Sequence, residues 1–262
     1  MTRKCKALFP AGILWQKRLR ERVPLQYVTA TAFWRDLILS VGPGVLIPRP
    51  ETELMVDFAL EAVKDNGDLV KDPWADLGTG SGALAIGLAK SVPEIPVVWA
   101  VDVSTKALEY VKFNARLAGQ EERVRTCQGS WFEPLYSTHA GKLAGIVSNP
   151  PYIPSEQMQD LQAEVGLHEP WHALEGGQGL GVDALVPICT GAMDMLRPAG
   201  ILILETAGGE QAAYVAQLLL HFRLHQFDQD GSEMEMLAFD QVRIRKDLRG
   251  VDRFVTAIRR KG

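Results

Sequence analysis

From Pro73 onward, short apolar runs alternate with longer segments of helical periodicity, and this alternation restricts the fold more than any other feature of the chain. The runs WADLG, VVWAVD, VRTCQ, AGIVS and GILILE are interleaved with GALAIGLAKSV, STKALEYVKFNARLAG, a stretch near Asp183 to Leu196 and another near Gln211 to His221. Such alternation predicts βαβ units, whose crossovers join strands that run the same way and so demand a parallel sheet. Helices then cover both faces, which is why the strands read as continuous apolar runs. Val251 to Arg259 reads as a final strand. The fold class expected is α/β, a doubly wound, mostly parallel sheet. At 262 residues with 23% charged residues and net charge −4, the chain is long enough for one sizeable core. Its longest apolar runs, GALAIGLA and GILIL, fall far short of the ~20 residues that span a bilayer, so no membrane partner is expected.

Ahead of this region lies FWRDLILSVGPGVLI, Phe33 to Ile47, which predicts a β-hairpin turning at Pro43-Gly44, a linker over residues 33–50. Pro48 and Pro50 stop the strand, and Glu51-Thr52-Glu53 open a helix with acidic residues where the helix dipole favours them. In the first 22 residues Arg3, Lys4, Lys6, Lys17, Arg18, Arg20 and Arg22 face only Glu21. A solvated helix end, a partner contact and an organelle-targeting remnant all fit such a basic segment. Cys5, Cys127 and Cys189 are odd in number and far apart, which points to reduced thiols in an intracellular compartment, either cytoplasm or the matrix of a mitochondrion or plastid.

Asp76-Leu77-Gly78-Thr79-Gly80-Ser81-Gly82 sits where the strand WADL turns into a helix. Glycine there permits positive φ and lets backbone approach a ligand. The spacing is DxGxGxG with the acid at the strand end, not the GxGxxG of a dinucleotide site, and it resembles motif I of S-adenosylmethionine-dependent methyltransferases. In that reading the loop amides meet the methionyl carboxylate of S-adenosylmethionine. Asp102, ending VVWAVD, accepts from both ribose hydroxyls, and Trp131 offers a flat face to adenine. Capping of the following helix is the competing role for Asp102, although Ser104 already suits it.

Asn149-Pro150-Pro151-Tyr152 follows the strand AGIVS directly, at the sheet edge where ligands of open α/β folds bind. A planar nitrogen is a poor nucleophile because its lone pair is delocalised. The Asn149 side-chain oxygen and the Pro150 carbonyl can each accept one N–H of a substrate NH₂, fixing the nitrogen and stabilising the charge that develops on it. Pro151 stiffens the loop, and the Tyr152 ring can lie against the amide. Asn149 also adjoins the cofactor. The segment Asn149 to Leu180 is long and rich in Pro and Gly, and loops of that length usually carry function. Glu205, at the end of GILILE, suits either a ligand contact or a helix cap, and Glu169-Pro170 is expected to close the long loop.

LIPRPETE (Leu46 to Glu53), DLGTGSG, SNPPYI (Ser148 to Ile153), HEPWHALEGG (His168 to Gly177) and KDLRGVDR (Lys246 to Arg253) occur together and in order. The chain resembles, from about Arg22 to Arg259, the HemK/PrmC-type N5-glutamine methyltransferases of peptide-chain release factors. The NPPY tetrad alone is shared with DNA adenine and RNA guanine amino-methyltransferases, whereas its union with PRPETE is specific. The resemblance implies a seven-stranded, Rossmann-like methyltransferase domain over residues 51–262. It implies S-adenosylmethionine as cofactor and, as substrate, the glutamine of a release-factor Gly-Gly-Gln loop held by Asn149 to Tyr152 and flanked by Arg49 and Glu51. It also implies a helical docking domain before the hairpin, of which residues 1–32 would be a shortened remnant. Family members often carry Gly where this chain has Ala30, and an acid where it has Ser130.

Two other readings compete. Methylation of an exocyclic amine of RNA or DNA would share NPPY, but the acidic balance opposes a nucleic-acid partner. A truncated, non-catalytic module that binds the cofactor without turnover is the other. None of the histidines has ligand spacing with Cys or acids, so no metal is expected, and the protein is read as a monomer.

Overall fold

In the computed structural model, residues 12, 15–227 and 233–261 are described. Residues 15–20 are helical, and a second short helix, Leu25–Thr29, is tied down by Tyr27, whose hydroxyl donates to the Val45 carbonyl at 2.6 Å. Arg3, Lys4, Lys6 and Cys5 lie outside the described residues.

Strands β1 (Thr31–Trp34) and β2 (Leu37–Ser40) form the hairpin, but it turns at Arg35-Asp36, not at Pro43-Gly44 as the sequence suggested. Arg35 takes a left-handed φ of 50°, and the next helix holds it there. Its amide donates to Glu53 Oε1 at 2.9 Å, and its guanidinium reaches the Glu53 carbonyl and Asp57. Pro43, with no N–H for a ladder, and Gly44, at φ 95°, instead bend the chain back toward the large sheet. Glu51–Glu53 forms a 3₁₀ turn that runs into the helix Leu54–Asp65, as the acidic start predicted.

The α/β core follows the predicted alternation. β3 (Trp74–Leu77), helix Ala83–Ser91, β4 (Val98–Asp102), helix Thr105–Leu117, β5 (Val124–Gln128) and β6 (Leu143–Ser148) precede the long segment. That segment contains two short paired strands, β7 (Ile153–Pro154) and β8 (Glu175–Gly177). Helix Leu185–Met195, β9 (Leu196–Glu205), helix Gly209–His221, the paired strands β10 (Arg223–Phe227) and β11 (Glu233–Leu237), β12 (Phe239–Lys246) and β13 (Asp252–Arg259) complete it.

Seven strands form one sheet in the order β12-β13-β9-β6-β3-β4-β5, in which β9, β6, β3, β4 and β5 are parallel and β13 is antiparallel to both its neighbours. The order reverses between β3 and β6, which makes the carboxyl ends of those two strands the switch point where open α/β sheets bind ligands. One apolar cluster fills each face. Trp34, Met55, Trp74, Ile86 and Phe254 belong to one, and Leu185, Ile188, Leu202, Phe239 and Val255 to the other. Gly145 of β6 faces Trp74, whose ring leaves no room for a Cβ. β12 escaped the sequence reading because FDQVRIRK puts charges on an exposed edge, where the burial alternates instead of running continuously.

Candidate active site

The loop after β3 is built by its glycines. Gly78, Gly80 and Gly82 have φ of 70°, 55° and 85°, which a side chain would strain. Gly78 N and Thr79 N donate to the Val101 carbonyl at 2.9 and 3.0 Å, and Gly80 N donates to Asp102 Oδ2 at 2.9 Å. Those amides are therefore occupied in shaping the loop, and the N–H groups left for an anion are those of Ser81 and the helix start at Ala83 and Leu84. Gly82 caps that helix, and a Cβ there would meet Ile86 and Val111 at 3.1 and 3.2 Å, so packing as well as φ requires glycine.

Asp76 is 1% exposed. Its Oδ2 accepts from Thr79 Oγ1 at 2.6 Å and from Ala85 N at 3.0 Å, while Oδ1 is buried without a partner. Burial pushes this carboxyl up to about 7; the nearby Asp102 charge adds to the rise, and the Thr79 and Ala85 bonds oppose it. Asp102 accepts from Ser104 N with Oδ1 as well as from Gly80 with Oδ2, leaving lone pairs on both oxygens. The cap of helix Thr105–Leu117 is Ser104, whose Oγ accepts from Ala107 N at 3.2 Å.

A cleft opens over this loop. Among the sequence-predicted residues, Asp76, Gly78, Thr79, Gly80, Ser81, Asp102, Trp131, Asn149 and Pro151 line it. Trp131 stands over Gly78, 3.5 Å from where a Cβ would sit there. Gly82, Pro150, Tyr152, Arg49 and Glu51 lie outside the lining. The sequence reading missed the opposite wall, Gly44, Val45, Leu46 and Pro48, and the rim at His172 and Ala173. Proline and glycine bends place those apolar residues there, with no periodic signal to mark them.

The loop after β6 is joined to the loop after β3 through the sheet itself. Ser148 pairs with Leu77, and its Oγ donates to the Leu77 carbonyl at 2.6 Å. Asn149 Nδ2 donates to Thr52 Oγ1 at 3.2 Å, while its Oδ1 and the Pro150 carbonyl accept no hydrogen bond among the described residues. Thr52 donates onward to Glu205 Oε2 at 2.6 Å, and the Tyr152 hydroxyl donates to Glu205 Oε1 at 3.1 Å. Glu205 is thus neither a helix cap nor open to the cleft: it is 1% exposed, and Gly208 caps the next helix. Burial raises its carboxyl to about 7 against the lowering effect of Thr52, Tyr152 and Arg253, with Glu51 adding slightly. Burial and Glu205 also raise the Tyr152 hydroxyl well above its ordinary value. Gln211 Nε2 ties the loop down from below, donating to the Tyr152 carbonyl at 2.9 Å and the Gly181 carbonyl at 3.1 Å.

Glu169 closes the long segment as expected. Its buried carboxylate accepts from Ile47 N at 3.0 Å and Arg49 Nη2 at 2.8 Å. Arg49 therefore faces the clasp, and Glu51 lies 3.8 Å from Arg249 of the turn between β12 and β13. Of the basic segment, Arg18 and Arg22 both bind Glu164, each at 2.7 Å. Gly176 and Gly177, part of a Gly-Gly-Gln tripeptide, are explained by packing, because a Cβ on either would strike the Tyr152 backbone or Asp183.

A family model described as methyltransferase small domain matches residues 56–182. The chain is 42% identical over 243 residues to the release factor glutamine methyltransferase of Thermosynechococcus vestitus, covering 93% of this chain and 77% of that protein. It is 46% identical over 207 residues to the protein of the same description from Gloeobacter violaceus, covering 79% and 69%. The chain belongs to the release factor glutamine methyltransferase family. Among solved structures, the hMettl16 catalytic domain in complex with the MAT2A 3'UTR hairpin 6 aligns over 96% of this chain and 80% of its own, at 12% identity and a TM-score of 0.57, which is a likeness of fold.

The residues present fit the family's methyl donor, S-adenosylmethionine. A buried carboxylate oxygen with no partner, Asp76 Oδ1, suits the ammonium of an amino acid. Asp102 retains acceptor capacity for a ribose diol, and the Trp131 ring supplies a flat apolar wall. Among the described residues, no group of three His, Cys, Asp or Glu gathers to hold a metal, and no helix is long and apolar enough to cross a membrane. Cys127 and Cys189 are free thiols.

Proposed function

We propose that this protein transfers a methyl group from S-adenosylmethionine to the side-chain amide nitrogen, N5, of the glutamine in the Gly-Gly-Gln motif of peptide-chain release factors. The observation that carries the reading is the pair of free acceptors, Asn149 Oδ1 and the Pro150 carbonyl, at the end of β6 beside the cleft. A primary carboxamide has two N–H donors in one plane, and two carbonyl oxygens on a proline-stiffened turn match them.

S-adenosylmethionine, when bound, supplies an electrophilic methyl on a sulfonium. Asp76, Ser81, Ala83 and Leu84 would hold its amino-acid end, Asp102 its ribose and Trp131 its adenine. Asn149 and Pro150 then do the work on the acceptor: by accepting both N–H bonds they orient the nitrogen and stabilise the positive charge it acquires. The proton departs only after the nitrogen has become positive, so no strong base is needed beside it. Arg49 and Glu51 flank the approach of the substrate loop.

The test is mass mapping of a bacterial-type release factor incubated with the protein and S-adenosylmethionine. The expected product carries one added methyl, 14 Da by elementary mass, on the peptide bearing Gly-Gly-Gln and on its glutamine. Label from tritiated donor entering RNA or DNA, and none entering the release factor, overturns the proposal.

A further inference from the structure

We propose that Thr52 and Glu205 are positioning residues that fix which end of the Asn149 amide faces the substrate. This deepens the function proposed above and rests on Asn149 being the acceptor-site residue. The chain of bonds runs from Asn149 Nδ2 to Thr52 Oγ1 at 3.2 Å, and from Thr52 Oγ1 to Glu205 Oε2 at 2.6 Å. Thr52 lines the cleft yet is only 4% exposed, and its hydroxyl is engaged by both Asn149 and Glu205.

The direction of these bonds follows from the donor inventory. Once Glu205 is ionised, which burial delays to about 7, its carboxylate only accepts, so the single Thr52 proton goes to Glu205 Oε2 and Thr52 offers Asn149 only a lone pair. Asn149 must then present its NH₂ inward, and Oδ1 is left pointing away from the relay. Without Thr52 no bond from this side selects between the two ends of the amide, which are nearly equal in shape, and the end that shows a substrate NH₂ another NH₂ is no longer disfavoured. Thr52 is β-branched, which restricts its χ1 and keeps Oγ1 on line between its two partners. The other groups that face Glu205 are the Tyr152 hydroxyl at 3.1 Å from the acceptor loop, Arg253 from β13, and Glu51 from the 3₁₀ turn. Arg253 is itself paired with buried Asp247 at 2.9 Å, so the KDLRGVDR motif supplies the cation that stands near this carboxylate.

The sequence places Thr52 within PRPETE and Glu205 at the end of GILILE, 153 residues apart, which is why only the fold joins them. PRPETE thus does more than border the substrate: its threonine acts through Asn149.

Thr52→Val is nearly isosteric and removes the hydroxyl, and Thr52→Ser restores it. With the release factor as substrate, Thr52→Val should lower kcat about tenfold or more while S-adenosylmethionine affinity by calorimetry stays within about twofold, and Thr52→Ser should recover most of the loss. A purely structural defect would move affinity and kcat together and would not be rescued in this way. Because Thr52→Val leaves Glu205 Oε2 without its donor, a second readout uses the wild-type protein alone. The Asn149 side-chain amide pair, identified by its absence from the spectrum of Asn149→Ala, should show one proton protected from exchange with solvent. Wild-type methylation of the release factor with equal kcat in Thr52→Val overturns the relay and leaves the function standing. A wild type inactive on the release factor overturns the function, and an unprotected Asn149 amide pair then overturns the relay separately.

Discussion

Replacing Asp76 by asparagine should stabilise the free protein and weaken its hold on the cofactor. The amide oxygen can still accept from Thr79 and Ala85, and its NH₂ takes the place of the unpartnered Oδ1, so the shape is kept and the buried charge is lost. The sign follows from linkage. Burial raises the folded-state carboxyl from 3.8 to about 7, so between those values the native state keeps a proton that the unfolded chain has released, and stability falls as pH rises. Below 3.8 the group contributes no difference, and above about 7 the loss is complete, worth up to about 4 kcal/mol at roughly 1.4 kcal/mol per tenfold. Glu205 titrates in the same window, so the difference between variant and wild type is the quantity to measure. Urea unfolding at a series of pH values should show Asp76→Asn about equal to wild type near pH 4 and more stable by an amount that grows to at most ~4 kcal/mol by pH 8. Calorimetry at pH 8 should show affinity for S-adenosylmethionine reduced about tenfold or more, the worth of one charged hydrogen bond. A stability difference that does not change with pH, or an affinity equal to wild type, would refute the account of Asp76 as a charge held in reserve for the cofactor.

Asn149→Ala should leave cofactor affinity within about tenfold while depressing kcat strongly, because the lost oxygen acts chiefly as charge develops; equal loss of both, measured by calorimetry and methyl transfer, would mean the residue is misassigned. Glu169→Ala should cost about 1–3 kcal/mol in urea unfolding by leaving the Ile47 amide unpaired, and should speed hydrogen exchange in residues 149–180 ahead of global unfolding. Gly145→Ala should destabilise by about 1–3 kcal/mol, since the new methyl meets the Trp74 ring in the sheet interior; thermal unfolding at the wild-type temperature would contradict this.

What could be read from the chain was whatever repeats along it. WADL, AGIVS and GILILE are buried on both sides and so carry an unbroken apolar signal, VVWAVD is nearly so, and VRTCQ forms the half-exposed edge strand; each became a strand of the large sheet. Asp76, Asp102 and Asn149 could be placed together from the sequence because each lies at or next to the carboxyl end of such a strand, and those ends gather at one edge, where all three line the cleft. Glu205 ends a strand too and offered the same signal, yet only the fold shows it meeting Thr52 and Tyr152. The hairpin turn was misplaced because Pro43-Gly44 is the stronger local turn signal, whereas the observed turn is held through Arg35 by Glu53 of the 3₁₀ turn and Asp57 of the following helix, 18 and 22 residues along the chain. The apolar wall Val45 and Leu46 carries no period at all, and its place in the cleft depends on the Tyr27 hydroxyl and the Glu169 clasp.

Because Leu77 and Ser148 are neighbours across one hydrogen-bonded ladder, the two loops proposed to hold the reactants leave adjacent strands whose separation, about 4.8 Å, is a constant of β-structure. No hinge lies between them. On the proposed function, changes in outlying segments would alter which protein is admitted while leaving that strand spacing untouched. New clients could therefore be recruited by remodelling periphery alone, with the chemistry inherited intact.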